Sequence, residues 1–156
     1  MIRFASSQIV NDVRAIFTSH EAKAIEAAQI LGRAKGIPVA TQDGLEEIDR
    51  NATGFLPPSE FERTADSFFA SPERSVRGWE RAVDAQARVV RAIDGLLKAS
   101  SGGDVAIVTH GGVGTLLLCS YLQTPITRRL DQPSQGHYWV LDIASRTPRH
   151  GWRPLA

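Results

Sequence analysis

The 156-residue chain has one cysteine, Cys119, and one methionine. A single thiol excludes an intrachain disulfide and suits a reducing cytoplasm. No apolar run approaches the roughly 20 residues that cross a bilayer, and the opening Met-Ile-Arg-Phe-Ala-Ser-Ser-Gln has no long apolar h-region. Charge of one sign is not in excess. The formal net charge of +1 gives no electrostatic case for a nucleic-acid or membrane partner. Arg128, Arg129, Arg146, Arg149 and Arg153 suit a small anion but are too scattered to track a duplex. His20, His137 and His150 form no pair at metal-ligand spacing, so no zinc site is expected. Internal repeats and low-complexity tracts are also lacking.

What remains is ordinary globular material, 42% hydrophobic and 22% charged, long enough for one domain over residues 1–156. Ile2, Ala5, Ile9 and Val13 share a helical face and read like the rear half of a helix. Residues 14–18 read as a short buried strand. Ser19 is placed to cap a helix from His20 to Lys35, stopped by Gly36 and Pro38. Val39-Ala40-Thr41 suits a brief strand, and 43–58 a long loop of the kind that carries function. Ser59 with Glu62 matches a capping box opening a short helix with Phe61, Ala65, Phe68 and Phe69. Val76, Trp79, Val83, Val90, Ile93 and Leu97 mark one face of a long helix ending near Ser100. Asp104 to Thr109 is a strand with a continuous apolar run, Gly112 to Leu122 a helix, 124–136 a polar loop, and His137 to Ile143 a last strand. Strands alternating with helices predict an α/β fold, a mostly parallel sheet with helices on both faces. Cys119, inside an apolar helix, reads as core.

Ligands of such sheets bind beyond the carboxyl ends of the strands, where Thr18-Ser19 and Thr109-His110 fall. A helix N-terminus offers free N–H groups and partial positive charge, which suits phosphate. Gly111 and Gly112 allow close backbone approach, and His110 adds a donor to a phosphoryl oxygen. Lys23 can reach the same edge from the preceding helix. Glu47, in Gly-Leu-Glu-Glu-Ile-Asp-Arg, can protonate a leaving oxygen, with Glu46 and Asp49 as competitors. Rival motifs fail: Gly112-Val113-Gly114-Thr115-Leu116-Leu117 ends in Leu where a dinucleotide fingerprint needs Gly or Ala. Neither a P-loop nor a Gly-x-Ser-x-Gly elbow is present.

Together these segments resemble the histidine phosphatase superfamily, the phosphoglycerate-mutase-like fold. Thr18-Ser19 match the family's serine pair, Lys23 falls on its arginine, and Ala27-Ala28 replace its Thr-Ala. Leu-Glu-Glu-Ile is similar to the segment carrying the acid, which puts that role on Glu47. The run from Ala106 through Leu118 resembles the second-histidine motif, which puts that role on His110. Lysine lacks the bidentate fork of arginine, so phosphate positioning at Lys23 is looser. The resemblance implies a three-layer α-β-α sandwich and a phosphomonoester phosphatase working through a phosphohistidine, without metal or organic cofactor. His110 and Glu47 are the implied catalytic residues. Lys23, Ser19, Gly111 and Gly112 are the implied phosphate contacts, with Arg50 and His137 as extra substrate contacts. A phosphorylated small molecule or phosphate is the implied partner.

The family's first strand, which ends in the nucleophilic histidine and lies between the other two, has no counterpart here. No histidine precedes His20. The natural protein is therefore expected to be longer. In this chain two buried strand edges would lose a ladder partner. They could close on each other, or a homo-oligomer could cover them. For the chain as it stands, a homo-oligomer or a rearranged edge is expected. The alternatives are a catalytically inactive relative that binds phosphorylated ligands or a protein partner through the His110 pocket, and an unrelated α/β nucleotide binder.

Overall fold

Three parallel strands carry the molecule: β1 (Val13–Thr18), β2 (Val39–Thr41) and β3 (Asp104–Val108), in the order β2-β1-β3. The computed structural model describes residues 1–155. Before β1 come a one-turn helix, α1 (Ile2–Ala5), and a 3-10 turn at Gln8–Val10. Then follow α2 (Ala22–Lys35), α3 (Pro58–Ala70), α4 (Ala82–Ala99) and α5 (Gly111–Tyr121). The tail folds as two small antiparallel ribbons. One pairs β4 (His137–Tyr138) with β7 (Arg153–Pro154), the other β5 (Leu141–Asp142) with β6 (Thr147–Pro148).

The sheet separates two apolar layers. On one side Val13, Ile16, Ala106 and Val108 meet α1 and the Ala28 and Leu31 face of α2. On the other, Phe17 and Ile107 meet α3, α4 and α5 through Phe68, Phe69, Val89, Ile93, Val113, Leu116 and Leu117. Strict alternation would put Val13 and Ile16 on opposite faces. An irregularity in the β1–β3 register between Val13 and Ala15 supplies the extra residue that puts both on the α2 side. The three-layer α-β-α arrangement is thus the one expected from the sequence.

Of the expected outcomes for these two strand edges, direct closure is the one found: β1 pairs with β3 from Val13↔Asp104 to Thr18↔Val108. The ladder groups between these strands are therefore satisfied within the chain.

Several boundaries differ from the sequence expectation. The helix after β1 starts at Ala22, not His20. Glu21 is its N-cap residue, and the Ser19 hydroxyl caps nothing in α2, accepting instead from the Glu21 N–H at 3.3 Å. Its end is as expected: Gly36 takes φ +66, a left-handed conformation glycine adopts without a Cβ penalty, and its N–H closes on the Gly32 carbonyl. The Ser59–Glu62 capping box does not form. Pro57 is the N-cap residue and Pro58 opens α3, where a missing N–H is harmless. The long helix expected from Val76 begins only at Ala82, because Pro72 and the left-handed Arg77-Gly78 pair break the chain before it. Trp79 is nonetheless 2% exposed, packing as a buried loop residue. His137 to Ile143 is no sheet strand but parts of the two ribbons. Cys119 is fully buried, and burial pushes its thiol pKa up, as a core position requires.

Phe68 is 1% exposed and packs edge-on to Phe69 at 5.1 Å and tilted against Trp79 at 6.1 Å. Phe68→Ala should lower unfolding stability by about 3–5 kcal/mol in urea titrations. Phe55, 91% exposed, should tolerate Phe55→Ser within about 0.5 kcal/mol.

Candidate active site

β1 leads into α2 on one face of the sheet, and β3 leads into α5 on the other. The chain therefore diverges beyond the carboxyl ends of these two neighbours, the place where open α/β sheets hold ligands. Ser19 and His110 are the residues at that divergence. The Thr18 hydroxyl donates to the Val108 carbonyl at 3.0 Å, and the Ser19 N–H reaches the same oxygen at 3.4 Å. This seam brings Ser19 Oγ within 2.7 Å of His110 Nε2. Ser19 is fully buried and His110 is 6% exposed.

Glu47 reaches the same place from the loop after β2. Its carboxylate accepts the Gly112 N–H at 3.2 Å and the Val113 N–H at 3.1 Å, capping the positive end of α5. The loop is held on several sides. Leu45 is fully buried, Thr109 Oγ1 donates to its carbonyl at 2.6 Å, and the Arg88 guanidinium reaches the carbonyls of Gly44, Glu46 and Glu47. Arg88 also forms a two-pronged pair with Glu80, at 3.0 and 2.8 Å. That pair holds its guanidinium pKa above the usual value.

Glu21 joins the parts together. One oxygen, Oε1, lies 3.2 Å from His110 Nε2 and accepts the Glu47 N–H at 2.9 Å. Its other oxygen stands 3.8 Å from Lys23 Nζ. The sequence reading missed Glu21 and Arg88; the only cue to the former is its place between Ser19 and Lys23. Gln132 was also missed. It lies against Gly111, where any Cβ would collide with its amide. Thr115 Oγ1 positions that segment by donating to Asp131 at 2.9 Å.

Of the sequence candidates, Ser19 meets His110 and Glu47 meets Gly112 by direct contact, and Glu21 bridges the two pairs and Lys23. Gly111 is the first residue of α5, and the space beside it is filled by Gln132. A Cβ on Gly112 would come within 2.6 Å of Glu47 Oε1 and 2.5 Å of Ile48 Cδ1, so this glycine makes room for the loop. Arg50 lies elsewhere, its guanidinium over the rings of Phe61 at 5.1 Å and Trp79 at 5.7 Å. His137 sits in the terminal ribbon opposite Pro154. Neither Arg50 nor His137 bonds to His110 among the described residues. A cleft of about 490 Å³ adjoins the site through Glu47 and is lined also by Glu46, Asp49, Trp79, Glu80 and Arg88. His110 does not line it.

A family model for the histidine phosphatase superfamily, branch 1, matches residues 4–150. The chain belongs to that superfamily. Solved structures agree in fold. Bacillus stearothermophilus YhfR is 24% identical with a TM-score of 0.73, over 96% of this chain and 77% of that one. A mycobacterial glucosyl-3-phosphoglycerate phosphatase solved with inorganic phosphate is 20% identical with a TM-score of 0.72, over 97% and 80%. A phosphoglycerate mutase from Bacillus anthracis is 16% identical with a TM-score of 0.57, over 81% and 67%. No curated protein matches the chain. At these identities the likeness establishes the fold, and the chemistry must come from the residues in place.

Desolvation lowers the His110 pKa against the opposing pull of Glu47 and Glu21, while Lys23 adds to the lowering. The folded state thus favours neutral imidazole. The unfolded chain takes up this proton below about pH 6.5, so stability is full above that value and declines as pH falls toward the folded pKa. Thermal melts should show that decline, and His110→Asn should flatten it. Arg88→Lys, which keeps the charge but loses the fork, should cost about 2 kcal/mol in urea titrations and speed amide exchange at residues 44–47.

Proposed function

We propose that this domain binds the phosphoryl group of phosphomonoesters in the manner of a histidine phosphatase. The observation carrying this reading is the convergence of His110 and the α5 N-terminus at one strand-end crevice, with Glu47 bonded to that helix start. His110 and the N–H groups of Gly112 and Val113 are donors for equatorial phosphoryl oxygens, and Lys23 supplies a mobile cation. Glu47 is a carboxyl group at the place where a leaving oxygen needs a proton.

In the family's chemistry a second histidine attacks phosphorus. An N–P bond forms as the ester P–O bond breaks, the acid protonates the leaving oxygen, and water then cleaves the N–P bond. Among the described residues, His110 is the one of the four histidines that is in this crevice. His20 bonds Asp43 on the surface at 2.7 Å, and His137 and His150 lie in the tail. The reading for the chain as it stands is therefore phosphoryl binding without turnover, the inactive-relative alternative. Its ligand is a phosphorylated small molecule or phosphate.

Titration with inorganic phosphate should perturb the Gly112 and Val113 amides, and His110→Ala should weaken binding at least tenfold. Hydrolysis of p-nitrophenyl phosphate should stay at background. Turnover that disappears in His110→Ala would instead make His110 itself the nucleophile. Absence of phosphate binding by the folded wild type would overturn the phosphoryl reading.

A further inference from the structure

The donors assigned to phosphate are already occupied by the chain's own carboxylates. Glu21 faces His110 Nε2 at 3.2 Å and Lys23 Nζ at 3.8 Å. Glu47 holds the Gly112 and Val113 N–H groups. A phosphoryl dianion brought to these donors would meet two carboxylates within a few ångströms, and like charges so placed repel strongly in a partly dry site. Phosphate binding therefore requires at least one carboxylate to leave.

Glu21 is the one free to go. Its side chain is 37% exposed and accepts one backbone N–H, whereas Glu47 accepts three, from Ile48, Gly112 and Val113. Lys23, 66% exposed, can follow either Glu21 or an incoming anion. Swinging Glu21 outward also removes the acceptor of the Glu47 N–H, which loosens the loop that places Glu47 on α5.

We propose that Glu21 is a positioning residue that latches the empty site, competing with a phosphoryl group for His110 and Lys23 and releasing the Glu47 loop when that group enters. The inference rests on the phosphoryl-binding reading above. It goes beyond that reading by assigning a self-occupied resting state and naming the residue that governs it. Access by phosphate is then controlled by a half-buried glutamate that need not touch the ligand.

Glu21→Gln tests this, because the amide oxygen still accepts the Glu47 N–H while the charge is gone. Glu21→Ala is the second variant and removes both. Each is titrated with inorganic phosphate beside the wild type, following the amides of Glu47, Gly112 and Val113 and the His110 ring by NMR. Both variants should bind phosphate at least fivefold more tightly than the wild type, with a smaller loss of affinity in low salt. In the wild type, phosphate should also accelerate exchange of the Glu47 amide. The His110 ring should titrate lower in Glu21→Gln than in the wild type, which a merely structural role would not produce. Equal or weaker phosphate binding by folded Glu21→Gln would overturn the latch while leaving the phosphoryl site standing. No binding by the wild type or either variant would remove the phosphoryl site and the latch together.

Discussion

The parallel pairing of β1 with β3 is the constraint on which the rest depends. Its register sets Thr18 beside Val108, so the next residue on each strand, Ser19 and the Thr109-His110 pair, emerges at the same edge. The helices that follow leave on opposite faces, which opens a crevice there. A one-residue slip would turn Ile16 and Phe17 toward the wrong layers. The two cores therefore enforce the register, and the register places the site. Ser19–His110 is a consequence of sheet packing before it is a feature of chemistry.

Charge then decides what the crevice is like when empty. The first N–H groups of α5, which have no intrahelical partner, need acceptors, and Glu47 provides them. His110 is buried beside two glutamates, yet desolvation outweighs their attraction and favours the neutral ring. Neutral imidazole can still donate one hydrogen bond, which suits an oxyanion receptor. Arg88 takes no part in ligand binding in this arrangement. Its donors are engaged by Glu80 and three loop carbonyls, and its work is to hold the segment from which Glu47 projects.

Much of this was legible in the chain. Patterns that rest on local rules carried over well: the apolar run of Val105–Val108, the glycine stop at Gly36, the glycine-rich entry to α5. The emergence of Ser19 and His110 at one sheet edge follows from strand-end logic. What stayed hidden depends on contacts distant in sequence. Trp79 looks like a helix-face residue by spacing, but Pro72 and the turn at Arg77-Gly78 put it in a loop whose indole N–H bonds Thr53 at 2.9 Å. Arg50 looks like a free cation beside a functional loop, yet two aromatic rings hold it. Glu21 carries no motif, and its importance appears only when His110, Lys23 and the Glu47 backbone are seen around it. The glycines have a packing reason the sequence does not show: Gly112 makes room for Glu47 and Ile48 and gives its N–H to the Glu47 carboxylate.

The direct closure of β1 on β3 and the self-occupied crevice belong to one physical problem. A strand inserted between β1 and β3 would separate Thr18 from Val108 and, with them, Ser19 from His110. The 2.7 Å contact between those side chains therefore exists only while the two strands are neighbours. Unpaired strand edges and unpaired helix N–H groups are both costly when buried, and this chain satisfies both with its own atoms, the first by ladder pairing and the second by a carboxylate. A binding site built this way has a stable resting state without ligand. On the proposed phosphoryl reading, its affinity is set by how readily its internal substitutes leave as much as by how well its donors fit a phosphoryl group.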